Sequence, residues 1–441
     1  MGLNYKTFNY LSAFSCLGDD CEDTCCKSWD IRFDQPHYEL LKESVDEAGG
    51  DLASKFASYV ELNKSAAATA HNYAYIKLDK SGNCPFLSSG WCELHKQFGE
   101  KPLSNVCAFY PRVLCKQGDT IELSGALSCP EMVRKCLFSE KTNEIVEFEP
   151  SILPRKDDYP LTRELSLPAD QFYYDHFLQV RDTLMQLVEL EGFSLDSRLY
   201  FISSFANRLG LFYHIDAEPA EKLLSSELKQ AMSVSMLERM DDFVSKYIPA
   251  EPVAIIVVQA VLQLRIQQFP HDSYSQFVKD VFHGYENLLS GKPSGIEYED
   301  VLPAEELWQL YQKRRSLIDS YFSEELDNCF SRYLVNCLYR EWFITMPDLF
   351  TYTHMLLIRL AILRFLVYSH PEIYRWAESL KSSSEKPSEH HIEQLRKYLV
   401  DVIYKNSRAI DHNTTFLQVV YDAIHEQQMM THEYSLPFIK F

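Results

Sequence analysis

From about residue 169 the apolar residues recur with a period near 3.6, the mark of amphipathic helices that each bury one stripe. Tyr173, Phe177, Val180, Leu184 and Leu187 share one such stripe, with Pro168 and Asp170 as start signals and Gly192 as a stop. Similar stripes through about 196–212, 220–246, 253–290, 304–345, 350–368 and 388–425 predict a multi-helix array. Two runs are apolar all round, Val253 to Leu264 and Met355 to Tyr368, and read as buried helices. The first is too short to cross a bilayer and contains glutamines, and the second is interrupted by Arg359 and Arg364. No repeat of fixed period is present, so a solenoid is not expected. The segment 380–389 reads as a polar loop.

The amino-terminal part has a different texture. Nine of the fourteen glycines fall before residue 126, and ten of the twelve cysteines before residue 137. Residues 1–143 therefore read as a small, loop-rich, cysteine-rich metal-binding domain that also carries the candidate chemistry. Residues 144–168, with prolines, charges and no periodicity, read as a linker. Residues 169–441 read as an all-helical domain suited to docking a substrate or partner, which makes the fold mainly α.

Composition narrows the function classes. A 46% apolar share over 441 residues suffices for a sizeable core, and a net charge of −20 argues against a nucleic-acid partner, because phosphate binding needs a basic face. No basic stretch followed by an apolar one opens the chain, and no run is long enough to span a membrane. The expectation is a cytoplasmic protein without a membrane partner, in which thiols stay reduced.

Eight of those thiols form three blocks: Cys16, Cys21, Cys25 and Cys26; Cys84 and Cys92; Cys107 and Cys129. Thiolate is a soft ligand that selects zinc, copper(I) or iron–sulfur clusters over magnesium or calcium. The irregular spacing differs from paired zinc knuckles, and Cys84 and Cys129 are each followed by proline, as is one ligand of bacterial ferredoxin runs. An iron–sulfur cluster, of the 4Fe–4S type, is favoured over zinc as the runner-up. Cys25 and Cys26 point in different directions on any regular backbone, so they serve neighbouring centres or one is a bystander. Cys115 and Cys136 look surplus, His95 reads as uninvolved, and Cys329 and Cys337 read as core thiols. Trp29 and Trp91 are suited to shielding a centre, while the acidic run Asp19, Asp20, Glu22 and Asp23 reads as solvated or supporting.

The stretches FSCLGDDCEDTCCKSWDIRFD, NYAYIKLDKSGNCPFL, and NVCAFYPR to SCPE resemble the flagellin lysine-N-methylase family of bacteria. They are more distantly similar to cysteine-rich proteins that chelate zinc or iron. The resemblance covers roughly the first 135 residues, the helical remainder being similar only in character. It implies methyl transfer from S-adenosylmethionine to lysine side chains of flagellin, with an iron–sulfur centre whose pattern falls on Cys16, Cys21, Cys25, Cys26, Cys84, Cys92, Cys107 and Cys129. Tyr110 and Arg112 match the family's YPR and are the candidates for orienting the lysine and pairing the cofactor carboxylate. No G-x-G loop and no Cys-x3-Cys-x2-Cys triad is present, Ser28 standing where the third cysteine of that triad belongs. Two other readings stay open at this point: a non-catalytic cysteine-rich module that docks a flagellar or other partner, and an iron–sulfur electron-transfer protein.

Overall fold

The computed structural model describes residues 2–27, 30–166, 176–210, 217–249, 252–286, 288 and 302–441. The chain divides into two compact units, Met1–Ser166 and Leu167–Phe441.

The first unit is built on a five-stranded mixed sheet that the hydrophobic pattern did not announce. Its strands are β1 (Asn4–Phe8), β7 (Arg112–Gln117), β8 (Thr120–Gly125), β9 (Ile145–Glu147) and β10 (Arg163–Leu165), in the order β10-β7-β8-β1-β9. β7 and β8 form a hairpin around Gly118, whose φ of 55° suits a two-residue turn that a side chain would strain. β1 lies parallel to β8, pairing Asn4 with Thr120 and Thr7 with Leu123. β9 and β10 come from the stretch expected as a linker. Through residue 166 that stretch completes both edges of the sheet, because short strands with free backbone groups gain hydrogen bonds there.

A second sheet joins β2 (Arg32–Phe33), β3 (Val60–Leu62) and β4 (Ala74–Ile76), and β5 (Leu87–Ser88) pairs with β6 (Trp91–Cys92). Six helices accompany the sheets: α1 (Asn9–Ser12), α2 (Gln35–Ala48), α3 (Gly50–Tyr59), α4 (Glu93–Phe98), α5 (Asn105–Phe109) and α6 (Pro130–Phe138). Caps set their starts: Asp34 accepts the N–H of His37 to open α2, and Ser104 accepts that of Cys107 to open α5. Phe8, Leu114, Ile121, Leu123, Met132 and Val133 are sealed in the core. Gly125 permits the closest approach, since a β-carbon there would stand 2.4 Å from the Met132 sulfur.

The second unit is all helix and strand-free among the described residues, so the fold is mainly α, as the pattern predicted. Its centre is the helix Leu349–Tyr368, apolar all round and buried at every position. Packed against it are Leu195–Gly210, Val253–Gln268, the 37-residue Ala304–Arg340, Glu389–Asn406 and His432–Ile439. The two arginines of the central helix are paired. Arg359 binds Glu341 and Asp411, and Arg364 binds Asp196 and the carbonyl of Ile439. Cys329 and Cys337 are buried on the long helix, the Cys337 sulfur 3.7 Å from an Arg359 nitrogen.

Some boundaries differ from the pattern. The polar loop 380–389 is shorter: one helix runs to Ser383, Ser384 turns with φ 59°, and the next begins at Glu389 under a Ser388 cap. The stripes 220–246 and 253–290 each hold two helices rather than one. Tyr173, Pro168 and Asp170 lie outside the described residues, as does Trp29. The helix of their stripe is described from Phe177 to Val188.

Candidate metal centre and active site

Helix starts and turns gather the cysteines of the first unit. Cys92 ends the β5–β6 hairpin and stands at the N-cap position of α4. Cys129 stands at the N-cap position of α6, its carbonyl accepting the N–H of Val133 at 3.0 Å. Cys107 stands in the first turn of α5, its N–H held by Ser104. The Cys84 backbone N–H donates to the carbonyl of Cys26 at 2.9 Å, joining the first two blocks. Trp91 lies over Gly18, where a β-carbon would fall 2.2 Å from the indole, and so pins the loop between Cys16 and Cys21.

The result is a cavity of about 110 Å³ walled by Cys16, Cys25, Cys26, Cys84, Cys92 and Cys107. Its apolar wall is Ile31, Phe33, Ile76, Leu94, Leu103, Val106 and Ala108; its polar groups are His95, Glu100, Ser104, Tyr110 and Arg112. Cys21 and Cys129 lie outside this lining but within electrostatic reach of Cys16. None of the twelve cysteines is joined in a disulfide, and Cys115 and Cys136 are buried and outside the cavity lining. Cys107 is exposed and lines the cavity.

Burial dominates the chemistry of these thiols. It pushes Cys84 up to about 11 and Cys107 and Cys129 up to about 12, and it raises Cys21 and Cys92, with neighbouring thiols adding to the effect. Such groups become thiolates near neutral pH when a bound cation compensates their charge. Among the described residues no three His, Cys, Asp or Glu side chains are set to hold one metal ion. A lone tetrahedral ion with bonds of about 2.3 Å draws its sulfurs to within roughly 4 Å of one another. The donor set is soft and gathered on one void, a chemistry that suits zinc, copper(I) or an iron–sulfur group.

Tyr110 and Arg112 both reach this cavity. The Tyr110 hydroxyl hydrogen-bonds Ser128 Oγ at 3.0 Å, and the Arg112 guanidinium lies 5.0 Å from the Phe14 ring. Arg112 is largely buried, which lowers its proton affinity, against the opposing charges of Glu100, Cys16 and Cys129. Of the acidic run, Glu22 is tied to Arg134, and the Asp23 carbonyl accepts the Cys21 thiol at 3.1 Å. Sequence reasoning set His95 aside and passed over Glu100, yet both line the cavity, Nε2 and Oε1 lying 3.9 Å apart. Cys92 capping α4 was the available signal for His95, which a single helical turn returns to the same side. Glu100, in a loop, gave none.

The profile of the FliB lysine N-methylase C-terminal domain family matches residues 181–437. The chain belongs to this family. A lysine-N-methylase from Salmonella choleraesuis (strain SC-B67) is 32% identical over 142 residues, 30% of this chain and 34% of that protein. The counterpart from Salmonella typhimurium (strain LT2) is 31% identical over 142 residues, with the same coverage. The flagellar biosynthetic protein FliU of Salmonella muenchen is 31% identical over 130 residues, 29% of this chain and 73% of that one. The chain thus matches about a third of the length of the two lysine-N-methylases. No solved structure matches it. The family match falls on the helical unit, which had been read as similar only in character, whereas the cysteine cavity belongs to the other unit.

Proposed function

We propose that this chain is a protein-lysine N-methyltransferase that moves methyl groups from S-adenosylmethionine to lysine side chains of flagellin, with an iron–sulfur centre in its first unit. The observation that carries the reading is the single cavity where the thiols meet Tyr110, Arg112 and Glu100. Membership of the FliB family and relatives named lysine-N-methylase and flagellar biosynthetic protein support the reaction and the substrate class.

Cys25, Cys84, Cys92 and Cys107 would hold the cluster, since each lies in the lining and the last three all sense the charge of Cys25. When bound, that group supplies a compact cationic anchor that turns the surrounding thiols into thiolates. The chain's own residues do the rest. A free lysine has a pKa of about 10.4 and enters as an ammonium. Glu100 offers the carboxylate that receives it, and the apolar wall from Ile31 to Leu103 favours loss of its proton. The exposed nitrogen lone pair is a competent nucleophile for in-line displacement at the sulfonium methyl, given alignment. Arg112 pairs the cofactor carboxylate, and Tyr110, steadied by Ser128, borders the approach.

The test is anaerobic incubation of the purified chain with flagellin and labelled S-adenosylmethionine, read by intact mass. Added methyl masses on flagellin lysines support the reading. Flagellin binding without mass gain, or iron reduced and reoxidised with no cofactor bound, replaces it with a docking module or an electron carrier.

A further inference from the structure

The helical unit has a cleft of its own, about 350 Å³, walled from three parts of the chain. One wall is the start of Leu195–Gly210, with Asp196; another is the buried central helix, with Arg364 and Tyr368. The third is the long helix Ala304–Arg340. On it Asp319, Ser323 and Asp327 recur every four residues, with Glu324 beside them, so all four share one face.

Charge changes sign with depth. The deep groups are Arg364 and Arg315, with 2% and 17% of their side chains exposed. The shallow ones are Asp319 at 32%, Asp327 at 39% and the exposed Glu324. The deep cations are engaged within the protein. Arg315 holds the carbonyls of Lys440 and Phe441, and it also meets Asp196 and Asp319. Arg364 gives one Nη to the carbonyl of Ile439 and the other to Asp196, while its Nε is buried without an acceptor. One orphaned N–H calls for one neutral acceptor such as a carbonyl. A carboxylate or phosphate needs the paired fork, and Asp196 occupies it.

The rim has the opposite need. Asp319 accepts the Tyr368 hydroxyl at 2.6 Å, and Asp327 is paired with Arg198. Burial still holds Asp327 above the usual carboxylate range, and Asp196 adds to the effect, so a further cation is favoured there. A carbonyl acceptor and a cation within one cleft are what a lysine or arginine residue of a polypeptide provides. Leu195 and Phe330 offer the apolar wall that its aliphatic stem requires.

We propose that this cleft binds a basic residue of the protein substrate, its main-chain carbonyl on Arg364 Nε and its charged tip on Asp319, Glu324 and Asp327. The residue held is not the one methylated, since the cavity assigned to methyl transfer belongs to the first unit. The inference rests on the reading that the substrate is a protein modified at lysine.

The test uses the whole chain with acetyl-tetralysine-amide as probe and acetyl-tetraglutamine-amide as the uncharged control. Carboxylates are labelled with carbodiimide and glycine ethyl ester, with and without peptide, and mapped by mass. The lysine peptide should shield Asp319, Glu324 and Asp327, and the glutamine peptide should not. By calorimetry at low salt, Glu324→Lys should weaken binding of the lysine peptide about fivefold, the scale of one exposed pairing, and the difference should fade as salt rises. Glu393→Lys, which reverses an exposed charge on Glu389–Asn406, should leave binding unchanged. Equal labelling with and without the lysine peptide, or equal weakening by the two variants, overturns the proposal. So does shielding of the three carboxylates by S-adenosylmethionine alone, which gives the cleft to the cofactor. Methylation of flagellin is measured separately. Shielding without methyl transfer keeps the basic-residue site and removes the methylase reading; methyl transfer with the carboxylates unshielded does the reverse.

Discussion

Glu100 shows how one side chain can distinguish a substrate role from a structural one. It is half-exposed, beside His95 and the Arg112 guanidinium, so removing its charge uncovers a cation rather than opening a core. Glu100→Gln is expected to raise KM for flagellin by an order of magnitude or so while cofactor binding holds, since a charged hydrogen bond is worth about 1.5–3 kcal/mol. Steady-state methylation kinetics with cofactor titration check this. Arg112→Gln should reverse the pattern, weakening S-adenosylmethionine binding by isothermal titration while flagellin binding persists. A different residue-scale effect arises in the helical unit, where His354 and His370 are buried as neutral imidazoles. Burial lowers His354 and His370 to about 4. A histidine whose folded value is depressed below about 6.5 stabilises the fold above that pH, and its contribution is lost as pH falls towards the folded value. For His354 alone the contribution is about 3 kcal/mol, at about 1.4 kcal/mol per unit. Urea denaturation should show stability falling between pH 6.5 and 4, and His354→Gln should flatten that slope.

At the scale of single elements, the short helices matter because thiols sit at their starts. Ser104 is fully buried and caps α5, holding the N–H of Cys107. Ser104→Ala should cost about 1 kcal/mol of stability by thermal melting, and under the proposed function it should also loosen iron retention, since Cys107 is there a proposed ligand. Gly18→Ala combines a left-handed φ of 62° with collision against Trp91, so it should release the first block and cut metal content. Much of this layer was legible in the chain. The stripe from Phe177 to Leu187 and the all-apolar run Met355 to Tyr368 became helices, because a period of 3.6 and a lack of polar positions are local signals. The thiols were legible for their density and softness. The five-stranded sheet was not, since its edge strands are three residues long and β1 finds β8 more than a hundred residues away. Glu100 was hidden for the same reason: its importance comes from neighbours that only the fold supplies.

At the scale of the molecule, each unit has its own logic. The helical unit encloses Asp196 among Arg364, Arg315 and Lys440, with Arg315 also holding the carbonyls of Lys440 and Phe441. Three cations surround one carboxylate, and they keep Asp196 below its usual range despite its burial. Asp196→Ala leaves those cations uncompensated and should cost about 3–5 kcal/mol, read as a lower urea midpoint. Asp196→Asn should recover only part of it. The first unit owes its cohesion to a sheet in which the earliest stretch of chain, β1, lies inside, with β8 on one side and β9 on the other. During synthesis, Cys16 through Cys26 therefore leave the ribosome long before Thr120–Gly125 exists to receive β1. For that interval they are loose nucleophiles, open to oxidation or stray metal. Assembly of any inorganic core must wait until roughly the first third of the polypeptide has emerged, so supply of iron and exclusion of oxygen bear on the nascent chain as much as on the finished protein.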